Sequence, residues 1–177
     1  MLAAYGRGLK EHHVRWSLIP PAALSVGFDD EDFLADRERA RQLLSIMKQP
    51  LFHVSFFQTT IASFFRGEDG KPSDALDEEL LESLRPEVFA PKYGTSEDVG
   101  PHRPHLLIAT ESFCNRELSR LAKCYDYGKV ERLATALSQR GLRQVHLFTA
   151  QTTGTTVEDL LESLAKILRL QVLCGEG

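Results

Sequence analysis

The chain has 177 residues, 42% hydrophobic and 26% charged, with 21 Lys and Arg against 25 Asp and Glu for a net charge of −4. That balance excludes a disordered chain and argues against a phosphate-tracking surface, which shows as a basic excess. No apolar run approaches the ~18 residues that cross a bilayer, and Cys114, Cys124 and Cys174 form no CxxC pair. The expectation is therefore free thiols in the cytoplasm or another reducing intracellular compartment, without membrane or nucleic-acid contact.

At this length about two-thirds of the unfolded surface can be buried, enough for one core. We read residues 1–12 as a loose N-terminal arm and 13–177 as a single α/β domain. Residues 14–19 read as a strand that Pro20 and Pro21 stop. Phe33, Ala40, Leu43, Leu44 and Met47 share one face of a helix over 30–48, with acids crowding its start. Residues 51–57, rich in β-branched and aromatic side chains, read as a buried strand. A short helix can open on Thr59 or Thr60, followed by an exposed turn at 66–73. Leu76, Leu80, Leu81 and Leu84 mark a helix over 74–84. A short strand at 87–90 precedes a loop over 91–104 with the character of a binding loop or lid.

The C-terminal part has the cleanest periodicity. Strands are expected at 105–110, 144–149 and 171–174, and helices at 113–126, 129–140 and 156–168. Gly141 stands where a glycine ends a helix, and Thr156 with Asp159 forms a variant capping box. Strands alternating with helices imply right-handed crossovers and a mostly parallel sheet. The fold class is α/β, a three-layer sandwich of Rossmann-like or flavodoxin-like type.

In open α/β sheets ligands sit beyond the carboxyl ends of the strands. Two segments follow a strand and open a helix: Thr110 to Glu117, and Thr149 to Thr156. In the second, Thr152, Thr153, Gly154, Thr155 and Thr156 put hydroxyls beside the free N–H groups of a helix start, a place for phosphate. The run Thr153-Gly154-Thr155-Thr156-Val157-Glu158 resembles the phosphate loop of sugar isomerase (phosphosugar-binding) domains. That resemblance implies a phosphorylated small molecule or nucleotide held at 152–156, against plain helix capping.

In the first segment, Ser112-Phe113-Cys114-Asn115-Arg116-Glu117-Leu118 resembles the stretch after the third strand of Toll/interleukin-receptor-like domains. The resemblance implies an NAD-processing role for Glu117. Cys114 and Arg120 also have the Cys-x5-Arg spacing of cysteine phosphatase loops, which implies a thiolate nucleophile. His102 and His105 are spaced HxxH, but one lies in a loop and one at a strand start, so no metal is expected. Phe64 and Phe65 read as core or as part of a partner surface. Arg37, Arg39 and Arg41 read as a solvated helix face.

No complete motif emerges, and no cofactor is specified. The leading expectation is a non-catalytic α/β interaction subunit or adaptor in a larger assembly, partnered by another protein or by copies of itself. The alternatives are phosphate or nucleotide binding at 152–156, and an enzyme built on Glu117 or Cys114.

Overall fold

A computed structural model describes residues 24–47, 52–67, 70–84, 105–149 and 152–174. The arm, the strands expected at 14–19 and 87–90 and the loop at 91–104 lie outside the described residues. No helix among the described residues is long and apolar enough to cross a membrane.

Strand β1 is Leu24–Phe28, a short element the sequence reading did not expect. Gly27 interrupts its pattern, and the interruption is structural. The Phe56 ring lies where a Cβ at Gly27 would stand. Helix α1 spans Arg37–Met47, seven residues later than its acidic lead-in suggests. Asp32 explains the delay. Its carboxylate accepts hydrogen bonds from Thr59 (2.7 Å), Ser63 (2.6 Å) and Thr60 (3.1 Å), and Phe33 N–H donates to the Gln58 carbonyl. This side-chain competition holds the chain in turns until Asp36, which accepts from the Arg39 N–H at 3.0 Å.

Strand β2 is Phe52–Thr60, followed by a 3-10 turn at Ile61–Phe64. Phe64 and Phe65 are both buried, with the Lys129 and Arg132 cations over the Phe65 ring, so they belong to the core and not to a partner surface. Helix α2, Glu78–Ser83, starts at Asp77, which caps the Leu80 N–H. The expected basic face of α1 is neutralised by ion pairs from Arg37 to Asp77, Arg39 to Asp30 and Arg41 to Glu79.

Strand β3 is His105–Glu111. The helix expected over 113–126 is shorter than its periodicity suggests, and the one expected over 129–140 begins two residues early. Helix α3, Asn115–Arg120, ends near Ala122, whose φ of 52° leaves the helical region. Helix α4, Tyr127–Gln139, restarts on Asp126 as N-cap. It closes in a Schellman arrangement, with Leu142 N–H donating to the Leu137 carbonyl, Gly141 N–H to Ser138, and Gly141 at φ 68°. Strand β4 is Arg143–Phe148 and helix α5 is Val157–Leu173. The last expected strand, 171–174, is helix through Leu173, with Cys174 as its C-cap. No Gly or Pro intervenes before Gly175, so the α5 ladder propagates through those residues.

The fold is thus α/β and Rossmann-like, with one all-parallel sheet in the order β1-β2-β3-β4. Right-handed crossovers between strands laid down in sequence place every connection on the same side. Burial agrees. Phe57, Leu106, Ile108 and Thr110 are buried, and Phe28 and Phe148 pack on the same cluster as Ala40, Leu81, Leu118 and Leu133. The residues between them point to the other face. There Gln58, Leu107 and Val145 lie in one row, and Thr60, Ala109 and Leu147 in the next. Val145 and Leu147 are 44% and 39% exposed. Among the described residues, helices fill one of the two outer layers.

Candidate functional site at the carboxyl ends of the strands

The parallel sheet gathers the ends of β1 to β4 along one edge, and both segments marked in the sequence lie there. β3 carries an irregularity where Ala109 pairs with Leu147 but Glu111 with Phe148, leaving Thr110 as an extra residue. Tyr125 O–H donates to the Thr110 carbonyl at 3.1 Å. Next in the chain, Glu111 adopts φ 63°, an uncommon conformation for a residue with a side chain. Such bulges and strained residues re-aim side chains at the ends of strands. The Glu111 carboxylate is half-buried, 3.2 Å from Lys123 Nζ and 3.4 Å from the Thr149 hydroxyl at the end of β4. Its carbonyl accepts the Thr149 N–H at 2.9 Å.

The structure brings Glu117 and the threonine turn together. Glu117 lies on α3 with its carboxylate buried, and it accepts hydrogen bonds from Thr152 and Thr155, each at 3.0 Å. Arg120, one turn later, pairs with Glu117 and donates to the Thr152 hydroxyl and the Thr153 carbonyl. Gly154 at φ 87° completes the turn, and a Cβ there would strike the Arg120 guanidinium. Two of the hydroxyls offered for phosphate, Thr152 and Thr155, are therefore engaged with the Glu117 carboxylate and with the arginine that pairs with it.

Beside this pair sits a second network. Thr156 and Asp159 form a reciprocal capping box at the start of α5. Arg116 Nε donates to Asp159 at 2.8 Å. The Arg116 guanidinium, with the Thr156 backbone, holds the Asp159 carboxyl well below the usual carboxylate range. Cys114 is fully buried, with Sγ 3.4 Å from both Asp159 and Glu162. Burial pushes its thiol up, and these carboxylates oppose a thiolate. Cys114 and Arg120 do not face a common opening: one enters the Asp159 network and the other the Glu117 network. Sequence reasoning singled out neither Glu111 nor Asp32. The available signal was a carboxylate at the end of a β-strand, or close after one.

The class defined by these features is an all-parallel α/β domain whose polar side chains concentrate at the carboxyl ends of its strands. No family model matches the chain, and no curated protein sequence matches it. Among solved structures it is similar to the radical S-adenosylmethionine methyltransferase TsrM from Kitasatospora setae, determined with cobalamin and a [4Fe-4S] cluster bound. The match has 14% identity and a TM-score of 0.59, over 84% of this chain and 26% of that one. The chain thus spans about a quarter of that protein's length, and the likeness is one of fold.

The described residues do not fit an iron–sulfur cluster, which takes converging cysteine thiolates. Cys114 is buried on carboxylates, Cys124 is exposed and Cys174 ends α5. No group of three or more His, Cys, Asp or Glu among the described residues could hold a metal ion.

Proposed function

We propose that the chain forms a sector of the wall of a (β/α) barrel in an enzyme that binds S-adenosylmethionine, with the ligand held across the carboxyl ends of β1 to β4. The observation that carries this reading is the unbroken strand order with its helices on one face. Within the Rossmann-like α/β class a doubly wound sheet reverses its strand order and is covered on both faces, whereas the described strands keep their order in sequence. A (β/α) barrel keeps strands in sequence, puts helices outside, fills its interior with layers of branched side chains and binds ligand at the carboxyl ends. The face that carries no helix among the described residues matches such an interior. The row of Gln58, Leu107 and Val145 supplies bulk, and the row of Thr60, Ala109 and Leu147, nearer the ligand end, has smaller members. The similarity to a radical S-adenosylmethionine enzyme supports the ligand class.

S-adenosylmethionine carries a sulfonium cation, an ammonium group and a ribose diol. Glu111 offers them an acceptor carboxylate at a strained strand end, with Lys123 beside it to meet the ligand's own carboxylate. Calorimetric titration of the chain with S-adenosylmethionine checks this. Binding is expected, and Glu111→Gln is expected to weaken it at least about tenfold, ~1.4 kcal/mol. No heat at millimolar ligand, or equal affinity in the variant, refutes the assignment.

The interaction-subunit reading draws on a different observation, the apolar outer face of α5. Phosphate binding at Thr152 to Thr156 and NAD chemistry at Glu117 have less support, because those groups already satisfy one another.

A further inference from the structure

Helix α5 turns Asp159, Ser163 and Leu170 inward. Its outer side carries Val157, Leu161, Leu164, Leu168 and Val172, with Val157, Leu161, Leu168 and Val172 each at least 60% exposed. These residues follow one another at intervals of four, three, four and four, so they form a continuous apolar stripe. The stripe is symmetric about the point between Leu164 and Ala165. Val157 mirrors Val172, Leu161 mirrors Leu168, and Leu164 mirrors the small Ala165, which lets two backbones approach.

Charge along the stripe is polarised. Glu158 and Glu162 flank its first half and Arg169 its second. Glu158 makes no ion pair among the described residues. Arg169 contacts Glu131 through Nε and Nη2, and its side chain is 64% exposed.

From this symmetry and polarity we infer that α5 is a dimerisation element, packing antiparallel on α5 of a second copy of this chain about a twofold axis at Leu164 and Ala165. In that arrangement the second copy's Arg169 lies between Glu158 and Glu162. Parallel packing would instead set Glu158 against Glu158 and Arg169 against Arg169. A self-complementary patch is what a twofold interface requires. The inference is independent of ligand binding at the strand ends.

Sedimentation equilibrium of the chain, at concentrations rising through the micromolar range, tests the pairing. A dimer is expected, and Leu161→Glu with Leu168→Glu should raise its dissociation constant at least about tenfold. Both positions are exposed, so the variant should retain the parent's helical circular dichroism. Glu158→Arg should weaken the dimer, and adding Arg169→Glu should restore it. In a Cys124→Ser background, Leu164→Cys should cross-link under mild oxidation and Val157→Cys should not. A monomer at every concentration, a dimer indifferent to the two glutamates, or cross-linking through Val157→Cys in place of Leu164→Cys would each overturn the proposal.

Discussion

His146 sits in mid-strand with both ring nitrogens engaged. Thr110 Oγ1 lies 2.6 Å from Nδ1, and Gln144 Oε1 lies 2.9 Å from Nε2. Gln144 is itself oriented by the bond from its amide nitrogen to the Ala134 carbonyl at 2.8 Å. Its oxygen must therefore face Nε2, so Nε2 carries the proton and Nδ1 accepts from the threonine. That is the neutral imidazole, and burial pushes its pKa down from 6.5 to about 4. Because the folded pKa is depressed, the unfolded chain binds the extra proton between those values, and stability rises with pH across the interval. The contribution is complete above pH 6.5 and is lost progressively as pH falls toward 4, by about 3 kcal/mol. Urea melts at pH 7.5, 6 and 5 should show this decline, and His146→Gln should flatten it. An unchanged slope in the variant would mean that other groups set the acid limit.

The helices show what was legible in the sequence and what was not. α4 and the start of α5 follow their periodicity because their caps are local: Asp126, Gly141 and Thr156 act within a few residues of themselves. α1 starts late because Asp32 bonds to hydroxyls at the end of β2 and in the turn after it, 27 to 31 positions away. No window along the chain contains that contact. The break at Ala122 is similarly non-local, since the Asn115 side chain ties back to the Tyr127 N–H at 2.7 Å. At the site, sequence located the two strand-end segments, but it did not reveal that Glu117 and Arg120 fill the threonine turn. Thr156→Ala should isolate the local part. It removes the acceptor for Asp159 N–H and a partner of Arg116, and should cost about 1 kcal/mol in chemical denaturation. A loss near zero would show that Arg116 and Asp159 hold the start of α5 without the cap.

At the scale of the whole molecule, the sheet's two faces have unequal energetic standing, and neighbouring residues of β3 can measure the difference. Ile108 is fully buried in the core cluster, whereas Leu107, partly buried, lies in a row with Gln58 and Val145 on the face that carries no helix among the described residues. The sequence does not distinguish them, because the run from His105 to Thr110 is nearly continuous in apolar residues and reads as a strand covered on both sides. Among the described residues, helices on one face alone follow from strand order, a property of the pairing that composition does not carry. Ile108→Ala should cost about 2–5 kcal/mol, because it removes buried methyl groups and leaves a cavity. Leu107→Ala should cost less in the same chain, since its side chain is only partly buried. Equal losses would mean that further polypeptide covers the second face. If S-adenosylmethionine occupies the ligand end of that face, its addition should raise the midpoint of both variants by mass action, because neither substitution removes the carboxylate of Glu111.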